Sequence, residues 1–347
     1  MQHWLEHWLE IIVAPFVREN TLAGYSVAVR VHLIPGVGAH RLDRLQPEHL
    51  ERLYARMMRE GSAAGTAHQA HRTIRTALNE AVRRGHIARN PAILAKAPRL
   101  MEEEIEPYSI EEVKLIMTAA LRRRNAARWA VALALGLRQG EALGLRWSDL
   151  DLDQGTLAVR RGRQRPRYAH GCGGTCDTHK AGYCPQRQAL RSDTAETKSR
   201  NGRRGIGLPA QLVALLRMHR EEQDGEREAA GQLWQEGGWV FADLFGRPLN
   251  PSTDYHEWKK LLRAAGVREG RLHDARHTAA TVLLVLGVPE RAVMGLMGWS
   301  NSAMAARYQH ITETVRRDVA QRIDGLLWEP REQRLMDRSE SDHEDTK

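Results

Sequence analysis

The chain has 347 residues, of which 42% are hydrophobic and 27% are charged, and its formal net charge is +9. This composition excludes a disordered chain and is that of one large or two smaller globular domains. The longest apolar runs, at 129–137 and 281–288, are too short to span a bilayer, and the N-terminus has no signal-peptide pattern. We therefore expect a cytoplasmic protein with no membrane partner, and the positive charge favours nucleic acid as the partner.

The first hundred residues are predicted to be helical. Apolar residues recur there at three- and four-residue spacing, with breaks at 34–40 and 59–66. The Asn90-Pro91 pair ends the last of these helices, because the residue before proline is disfavoured in the α region. We predict a helical domain at 1–98, a linker at 99–107 and a second domain at 108–328.

The second domain is predicted to combine helices with a few strands. Ser109 and Glu112 form a capping-box pattern at the start of a helix, and an apolar helix ends at Gly136. The segment 155–163 is strand-like, and ETKSRNGRRGIGL at 196–208 predicts a hairpin turning at Asn201-Gly202. The rest is helical up to a charged tail at 329–347, which we expect to be disordered. The predicted fold class is mainly α with a small antiparallel β-sheet (α+β).

Several polar residues that could take part in catalysis lie at or near the ends of these elements. Arg138 lies at a junction between two helices, and Lys198 lies in the predicted hairpin. His273 and Arg276, spaced i and i+3, share one face of a helix that we expect to be anchored by its apolar end, 282–286.

Two aromatic residues follow close behind. Trp299 stands just after Gly298, which is predicted to end a helix, and Tyr308 comes nine residues later. Each polar or aromatic residue is ordinary by itself, but their order along the chain is not.

The set resembles the catalytic pattern of the tyrosine recombinase (phage integrase) family, which reads Arg, Lys, His-x-x-Arg, His-or-Trp, Tyr. The matching motifs are GLRQGE, TKSRNGRR, HDARH, MGW and ARYQH, within about residues 105–325. The first hundred residues resemble the SAM-like core-type DNA-binding domain of integrases, particularly those of actinobacterial mobile elements. The resemblance implies a catalytic domain with the DNA breaking-rejoining fold.

The resemblance also implies a role for each residue. Arg138 and Arg276 would clamp the scissile phosphate, which suits their permanent charge and bidentate geometry. Tyr308 would attack phosphorus and form a 3′-phosphotyrosyl link. Lys198 would protonate the leaving 5′-oxygen, and His273 would be the acid–base partner near the nucleophile. Storing the bond energy in the ester removes any need for a nucleotide, so catalysis is expected to require no cofactor.

Trp299 is the sixth predicted catalytic residue, and two further residues are expected to support the site. Trp299 stands where histidine is commoner, and because its indole N–H only donates, it can bond a phosphate oxygen but cannot transfer protons. Glu141 and His277 are interpreted as braces for the arginine region.

An insertion at 168–187 holds all three cysteines of the chain and two histidines. The residues predicted as ligands of a structural zinc ion are Cys172, Cys176, Cys184 and His179, with His170 as the alternative fourth ligand. Free thiols in a mobile loop are the competing interpretation, and a reducing cytoplasm disfavours a disulfide.

The predicted function is that of a site-specific DNA recombinase that integrates or excises a mobile element or prophage. The resemblance implies double-stranded attachment sites as substrate, a homotetramer on two duplexes, and an excision factor as a candidate partner. The alternatives are a type IB topoisomerase, an inactive DNA-binding remnant of an integrase, and RNA or protein binding through the cysteine loop.

Overall fold

The computed structural model describes residues 1–100, 106–197, 203–302 and 304. Lys198, Tyr308, the predicted turn at 201–202 and the predicted tail at 329–347 lie outside these residues. The chain divides into two compact units, Met1–Glu104 and Ile105–Lys347.

The described part of the first unit is built from helices. The helices are Gln2–His7 (α1), Glu19–Val27 (α2), Ile34–Val37 (α3), Pro47–Arg59 (α4) and Ala64–Arg83 (α5), with π-helical turns at Trp8–Val13 and Ala28–Leu33. Their apolar faces enclose one core that includes Trp8, Leu50 and Leu78. The break predicted at 34–40 begins later than expected, because Ile34–Val37 is still helical.

The second unit contains seven helices among its described residues. They are Ile110–Ala120 (α6), Ala126–Leu135 (α7), Gln139–Leu143 (α8), Ala210–Ala230 (α9), Pro251–Ala264 (α10), Leu272–Val285 (α11) and Glu290–Met297 (α12). The predicted capping box opens α6, where Ser109 and Glu112 exchange hydrogen bonds of 2.8 and 3.1 Å. No helix of the described residues is long and apolar enough to cross a membrane.

The strands that the structure describes in the second unit are short, and those strands pair only in antiparallel fashion. They are Leu150–Asp151 (β1), Thr156–Val159 (β2), Arg161–Arg163 (β3), Tyr168–Ala169 (β4), Gln188–Ala189 (β5), Thr194–Glu196 (β6) and Arg204–Gly207 (β7). One sheet has the order β1-β2-β7, and two further ladders pair β3 with β6 and β4 with β5. Helices dominate and the sheets are small, which confirms the predicted α+β class.

The predicted hairpin at 196–208 is wrong in its described parts. Its two arms pair with other strands, β6 with β3 and β7 with β2, rather than with each other. The turn signal at Asn201-Gly202 is local, whereas 156–163 offers both arms a partner strand. Glu196 and Arg203, on either side of 198–202, form an ion pair.

Helix α7 lies at the centre of the second unit. Most of its surface is buried between Ala127 and Leu135, with Ala134 exposed, which explains why its sequence is apolar without the alternation of a surface helix. It packs on one side against the β1-β2-β7 sheet and α9, and on the other against α6, α10 and α11. The C-terminal end of α7 therefore sets the positions of Gly136 and Arg138.

Candidate active site

Arg138 lies at the N-terminal end of α8, as its sequence context predicts. Helix α7 ends at Gly136, whose φ of 59° is a left-handed conformation that favours glycine. Arg138 is extended, its backbone N–H donates to Glu141 Oε2 at 3.0 Å, and its Nη1 donates to Glu141 Oε1 at 2.6 Å. The side chain remains 42% exposed, so part of the guanidinium faces solvent.

Arg276 is held by the same helix end, from the other side. It lies on α11, is buried, and donates from Nη1 to the Gly136 carbonyl at 2.5 Å and from Nη2 to the Met297 carbonyl at 2.5 Å. Arg138 Nη2 donates to the Gly298 carbonyl at 3.3 Å. Carbonyls at helix C-termini are unpaired within the helix and carry partial negative charge. The ends of α7 and α12 therefore hold two guanidinium groups beside each other.

Glu141 connects this pair to the sheet. Its carboxylate is buried and accepts from Arg204 Nη2 at 2.9 Å as well as from Arg138. Burial opposes its ionisation, but the hydrogen bond and charge of Arg204 and the charge of Arg138 together lower the pKa of Glu141. Arg204 is the first residue of β7, six residues after Lys198, and it also donates to the Leu296 carbonyl at 2.6 Å. Arg204 was not predicted as a site residue, because it stands in an ordinary basic run.

His273 lies on the exposed side of α11, one turn before Arg276. Loss of hydration, followed by the positive charges of Arg276 and Arg138, lowers the pKa of His273. Its ring meets the His277 ring edge-on, with 4.7 Å between the centroids. Loss of hydration and the neighbouring His273 lower the pKa of His277 to about 4. Both imidazoles are therefore neutral at neutral pH, and each ring offers one donor and one acceptor nitrogen.

Helix α11 is anchored differently from the prediction. Val282 and Leu286, in the apolar end expected to be buried, are exposed. The buried residues lie earlier in the helix and include three alanines, Ala275, Ala279 and Ala280. Alanines allow close approach of the neighbouring helices, and α11 contacts α7 more than any other helix.

Trp299 forms the wall behind Arg276. Its side chain is buried among Ala279, Val293 and Met297, and the Arg276 Cζ lies 5.8 Å from the centroid of its ring. Gly298, with a φ of 61°, ends α12 and directs the chain so that Trp299 packs inward. The residue supports the arginine through packing and cation–π contact.

A buried ion pair supports the turn that carries Arg138. Arg128 on α7 makes two hydrogen bonds of 3.0 Å to Asp254 on α10, and both side chains are 1% exposed. Gln139, the residue after Arg138, donates from Nε2 to Asp254 Oδ2 at 2.9 Å and to the Pro251 carbonyl at 2.7 Å. Sequence reasoning missed this network, because Arg128 stands next to an apolar run and its partner lies 126 residues away.

The insertion contains a cluster of potential metal ligands. Nδ1 or Nε2 of His170 and the sulfurs of Cys172, Cys176 and Cys184 all lie within 4.8 Å of one another. His179, predicted as the fourth ligand, lies outside this group on an exposed stretch. His170 directly follows β4, which places it beside the thiols, so the alternative named from the sequence takes its place. Hydrogen bonds from the backbone and side chain of Cys176 lower the pKa of Cys172 to about 5.

Comparison with known proteins identifies the family. Residues 108–314 match the phage integrase family. An integrase from Saccharopolyspora erythraea is 48% identical, and the alignment covers 94% of this chain and 82% of the relative. The chain belongs to the phage integrase family. A second relative, a XerC-like tyrosine recombinase from Caldanaerobacter subterraneus, is 30% identical to this chain, and the alignment covers 83% of this chain and 73% of the relative.

Solved structures of integrases share the fold. The Tn1549 transposon integrase, determined in complex with transposon right end DNA, aligns with a TM-score of 0.71 at 18% identity, covering 92% of this chain and 98% of the other. This phage integrase family member is thus a tyrosine-type site-specific recombinase, of the kind that integrates or excises mobile elements.

Four of the six predicted catalytic residues fall on described positions of this family member, and they lie together. Arg138 and Arg276 share the ends of α7 and α12, Trp299 packs beside Arg276, and His273 lies in the positive field of both arginines. Lys198 and Tyr308, the other two, lie outside the described residues, and their placement stays a prediction.

Proposed function

We propose that this recombinase cleaves and rejoins duplex DNA at attachment sites, with Tyr308 as the nucleophile. The observation that carries the proposal is the pair of guanidinium groups, Arg138 and Arg276, fixed at two neighbouring helix ends. Phosphodiester cleavage concentrates negative charge on the non-bridging oxygens, and preorganised cationic donors stabilise that charge.

The two arginines contribute differently to the proposed phosphate site. Arg138 is partly exposed and presents its outer edge to solvent, so it is the first to meet a phosphate. Arg276 is buried and donates to two backbone carbonyls, so it adds a fixed positive charge from behind. A guanidinium stays charged at any pH that DNA tolerates.

In the proposed cleavage step, the Tyr308 oxygen attacks phosphorus and the bond to the 5′-oxygen breaks. The leaving oxygen takes a proton from Lys198, and the tyrosine proton passes to a base, for which His273 is the candidate. The lowered pKa of His273 keeps its imidazole neutral and able to accept that proton. Religation is the reverse reaction with a new 5′-hydroxyl, so no nucleotide is consumed.

The proposed chemistry uses no metal ion or organic cofactor. The cluster around His170 already offers four ligands, which is the full tetrahedral set of a structural zinc site and leaves no position for a substrate. A zinc ion bound there would therefore be structural.

The proposed substrate assembly is a homotetramer on two duplexes, as the resemblance to the family implies. The helical unit at 1–98 is proposed to bind DNA next to the cleavage site, with 99–107 as linker to the catalytic domain. Phosphate contacts would then give most of the affinity and a steep salt dependence. The compartment is proposed to be the cytoplasm, and an excision factor is a candidate partner for the reverse reaction.

The test is covalent trapping on a nicked duplex built from the element's own junctions. Wild-type protein is expected to form an adduct that survives SDS, and Tyr308→Phe is expected to form none. Tyr255→Phe, which removes one hydroxyl from a tyrosine on α10, is the matched control and should react like wild type. Absence of an adduct despite salt-sensitive binding to the same DNA would contradict the proposal and indicate an inactive remnant.

A further inference from the structure

The two small ladders of the insertion are parts of one long hairpin. In β3-β6 the pairs run from Arg161↔Glu196 to Arg163↔Thr194, and in β4-β5 they are Tyr168↔Ala189 and Ala169↔Gln188. For each residue further along the first arm, the residue number of its pairing partner falls by one, and no residue is inserted or skipped between the two ladders. Backbone bonds from Gln164 to Asp193, at 2.8 Å, and from Leu190 to Arg167, at 2.9 Å, continue the same register. We call 161–196 the insertion hairpin and 170–187 its tip.

The tip has almost no hydrophobic core. Of its residues only Cys184 is buried, at 1% exposure. An isolated two-stranded hairpin is marginally stable in water, and small units without a core commonly depend on a metal or disulfides. The shape of the tip therefore requires another source of stability.

The four potential ligands have the spacing of a tetrahedral site. His170 Nδ1 lies 3.2 Å from Cys176 Sγ and 3.9 Å from Cys172 Sγ. In a tetrahedral zinc site the bond lengths place a nitrogen and a sulfur ligand about 3.6 Å apart. The observed distances lie on either side of that value, so only small shifts would bring these donors onto one ion.

The backbone of the tip is folded tightly around these donors. A side chain at Gly171 would place its Cβ against the Gln186 carbonyl oxygen, closer than van der Waals contact allows, so only glycine fits there. Gly173 and Gly174, with φ values of 63° and 89°, make the turn between the first two cysteines. The glycines bring the two sides of the tip together where the thiols converge.

We propose that His170, Cys172, Cys176 and Cys184 bind one zinc ion, and that the metal holds the tip of the insertion hairpin in shape as a DNA contact. Three thiolates and one imidazole are a typical closed structural zinc set. Binding displaces the thiol protons to solvent and involves no change in oxidation state. A disulfide would use only two of the three thiols and leave the converging histidine without a role.

The charge of the insertion hairpin identifies nucleic acid as its partner. Residues 161–196 carry seven Lys and Arg against three Asp and Glu. Arg165, Arg167 and Lys180 are exposed, and within the described part of the chain none of them forms an ion pair. Free cationic side chains on a rigid support are suited to phosphate contacts. This part of the inference rests on the proposed function, since it takes DNA as the ligand.

The first experiment measures the metal alone, without DNA. Full-length protein is purified without a histidine tag, its zinc content is determined by mass spectrometry, and cobalt is substituted to record the absorption of a tetrahedral thiolate site. We expect one zinc ion per chain in wild type and in His179→Asn, the matched control. His170→Asn and Cys184→Ser should bind zinc at least tenfold more weakly. An unfolding transition of the catalytic domain like that of wild type would show that both variants still fold.

Wild type that binds no zinc under reducing conditions would overturn the site, as would a disulfide among these cysteines in freshly purified protein. Equal loss of metal in His179→Asn and His170→Asn would overturn the ligand assignment. None of these results depends on recombination, so they separate failure of the metal site from failure of the proposed function.

The second experiment measures DNA binding in a Tyr308→Phe background, where no cleavage is expected. Replacing Arg165, Arg167 and Lys180 together by Gln should reduce the slope of log affinity against log salt by about 2–3, since each lost phosphate contact reduces it by about 0.9. Removal of zinc should weaken binding in the parent and have little effect in the triple variant. An unchanged slope would overturn the DNA contact, whatever the zinc content.

Discussion

Arg276 donates a hydrogen bond of 2.5 Å to the carbonyl oxygen of Gly136, 140 residues earlier in the chain. The bond joins α11 to the end of α7, immediately before the turn that carries Arg138. Because the second guanidinium nitrogen donates to the Met297 carbonyl, the side chain connects three helices. This arrangement makes the position of the guanidinium, as well as its charge, a testable property.

Arg276→Lys should retain the charge but lose activity. A single ammonium cannot bond the two carbonyls and face a phosphate in the geometry of a guanidinium. We expect cleavage of the nicked duplex to slow by about 10²–10³-fold, the usual effect of removing one preorganised donor. Arg263→Lys, at an exposed position of α10, is the control and should cleave at the wild-type rate. Equal rates in both variants would contradict the role of Arg276.

Glu141→Gln should destabilise the protein as well as slow DNA cleavage. The variant loses the charge that two arginines bond, and hydrogen bonds to charged groups contribute about 1.5–3 kcal/mol. The pKa of Glu141 is lowered from 4.5, so its stabilisation is present above about pH 4.5 and is lost as pH falls through the native pKa. The measurement is urea unfolding of both proteins across acid pH. The difference in unfolding free energy should shrink as pH falls, and a constant difference would contradict the ionic role.

His277 should make stability depend on mildly acidic pH. Its pKa is lowered from 6.5 to about 4, so the unfolded chain binds a proton more readily than the native protein. Stability should therefore fall as pH decreases from about 6.5 to 4, and His277→Asn should remove part of that slope. Proton NMR of the imidazole in the native protein measures the titration directly, and a midpoint near 6.5 would contradict the prediction.

Asp254→Asn should cost much of the stability of the second unit. Removing one partner of a buried ion pair leaves Arg128 charged in the interior, a loss of about 3–5 kcal/mol. Chemical denaturation measures this loss of unfolding free energy, and Asp224→Asn, at an exposed position, is the control. A loss below about 1 kcal/mol would show that the pair is not needed for folding.

The sequence predicted features that depend on local chemistry. The capping box at Ser109, the helix end at Gly136 and the position of Arg138 follow from residues within one turn of each other, and the structure has them as predicted. The family resemblance rested on motif order, which needs no three-dimensional information.

Features that depend on distant partners were not predictable. The acceptors of Arg276 are backbone carbonyls, which leave no mark on residue identity, and Asp254 lies far from Arg128 in sequence. The hairpin at 196–208 was predicted from its turn, but strand pairing depends on which partner edge is available. His170 and His179 could not be distinguished by spacing along the sequence. His170 lies beside the thiols because it directly follows β4, and that strand is paired only in the folded protein.

The support of the two arginines by main-chain oxygens affects how this site tolerates mutation. Every amino acid carries a carbonyl, so no substitution at 136, 297 or 298 deletes an acceptor. Such a substitution acts on the acceptors only by changing the path of the backbone, and the left-handed glycines at 136 and 298 are two positions where a side chain would do so. Sequence change along the exposed face of α12 can therefore leave these main-chain acceptors in place, whereas a side chain at either glycine would move them.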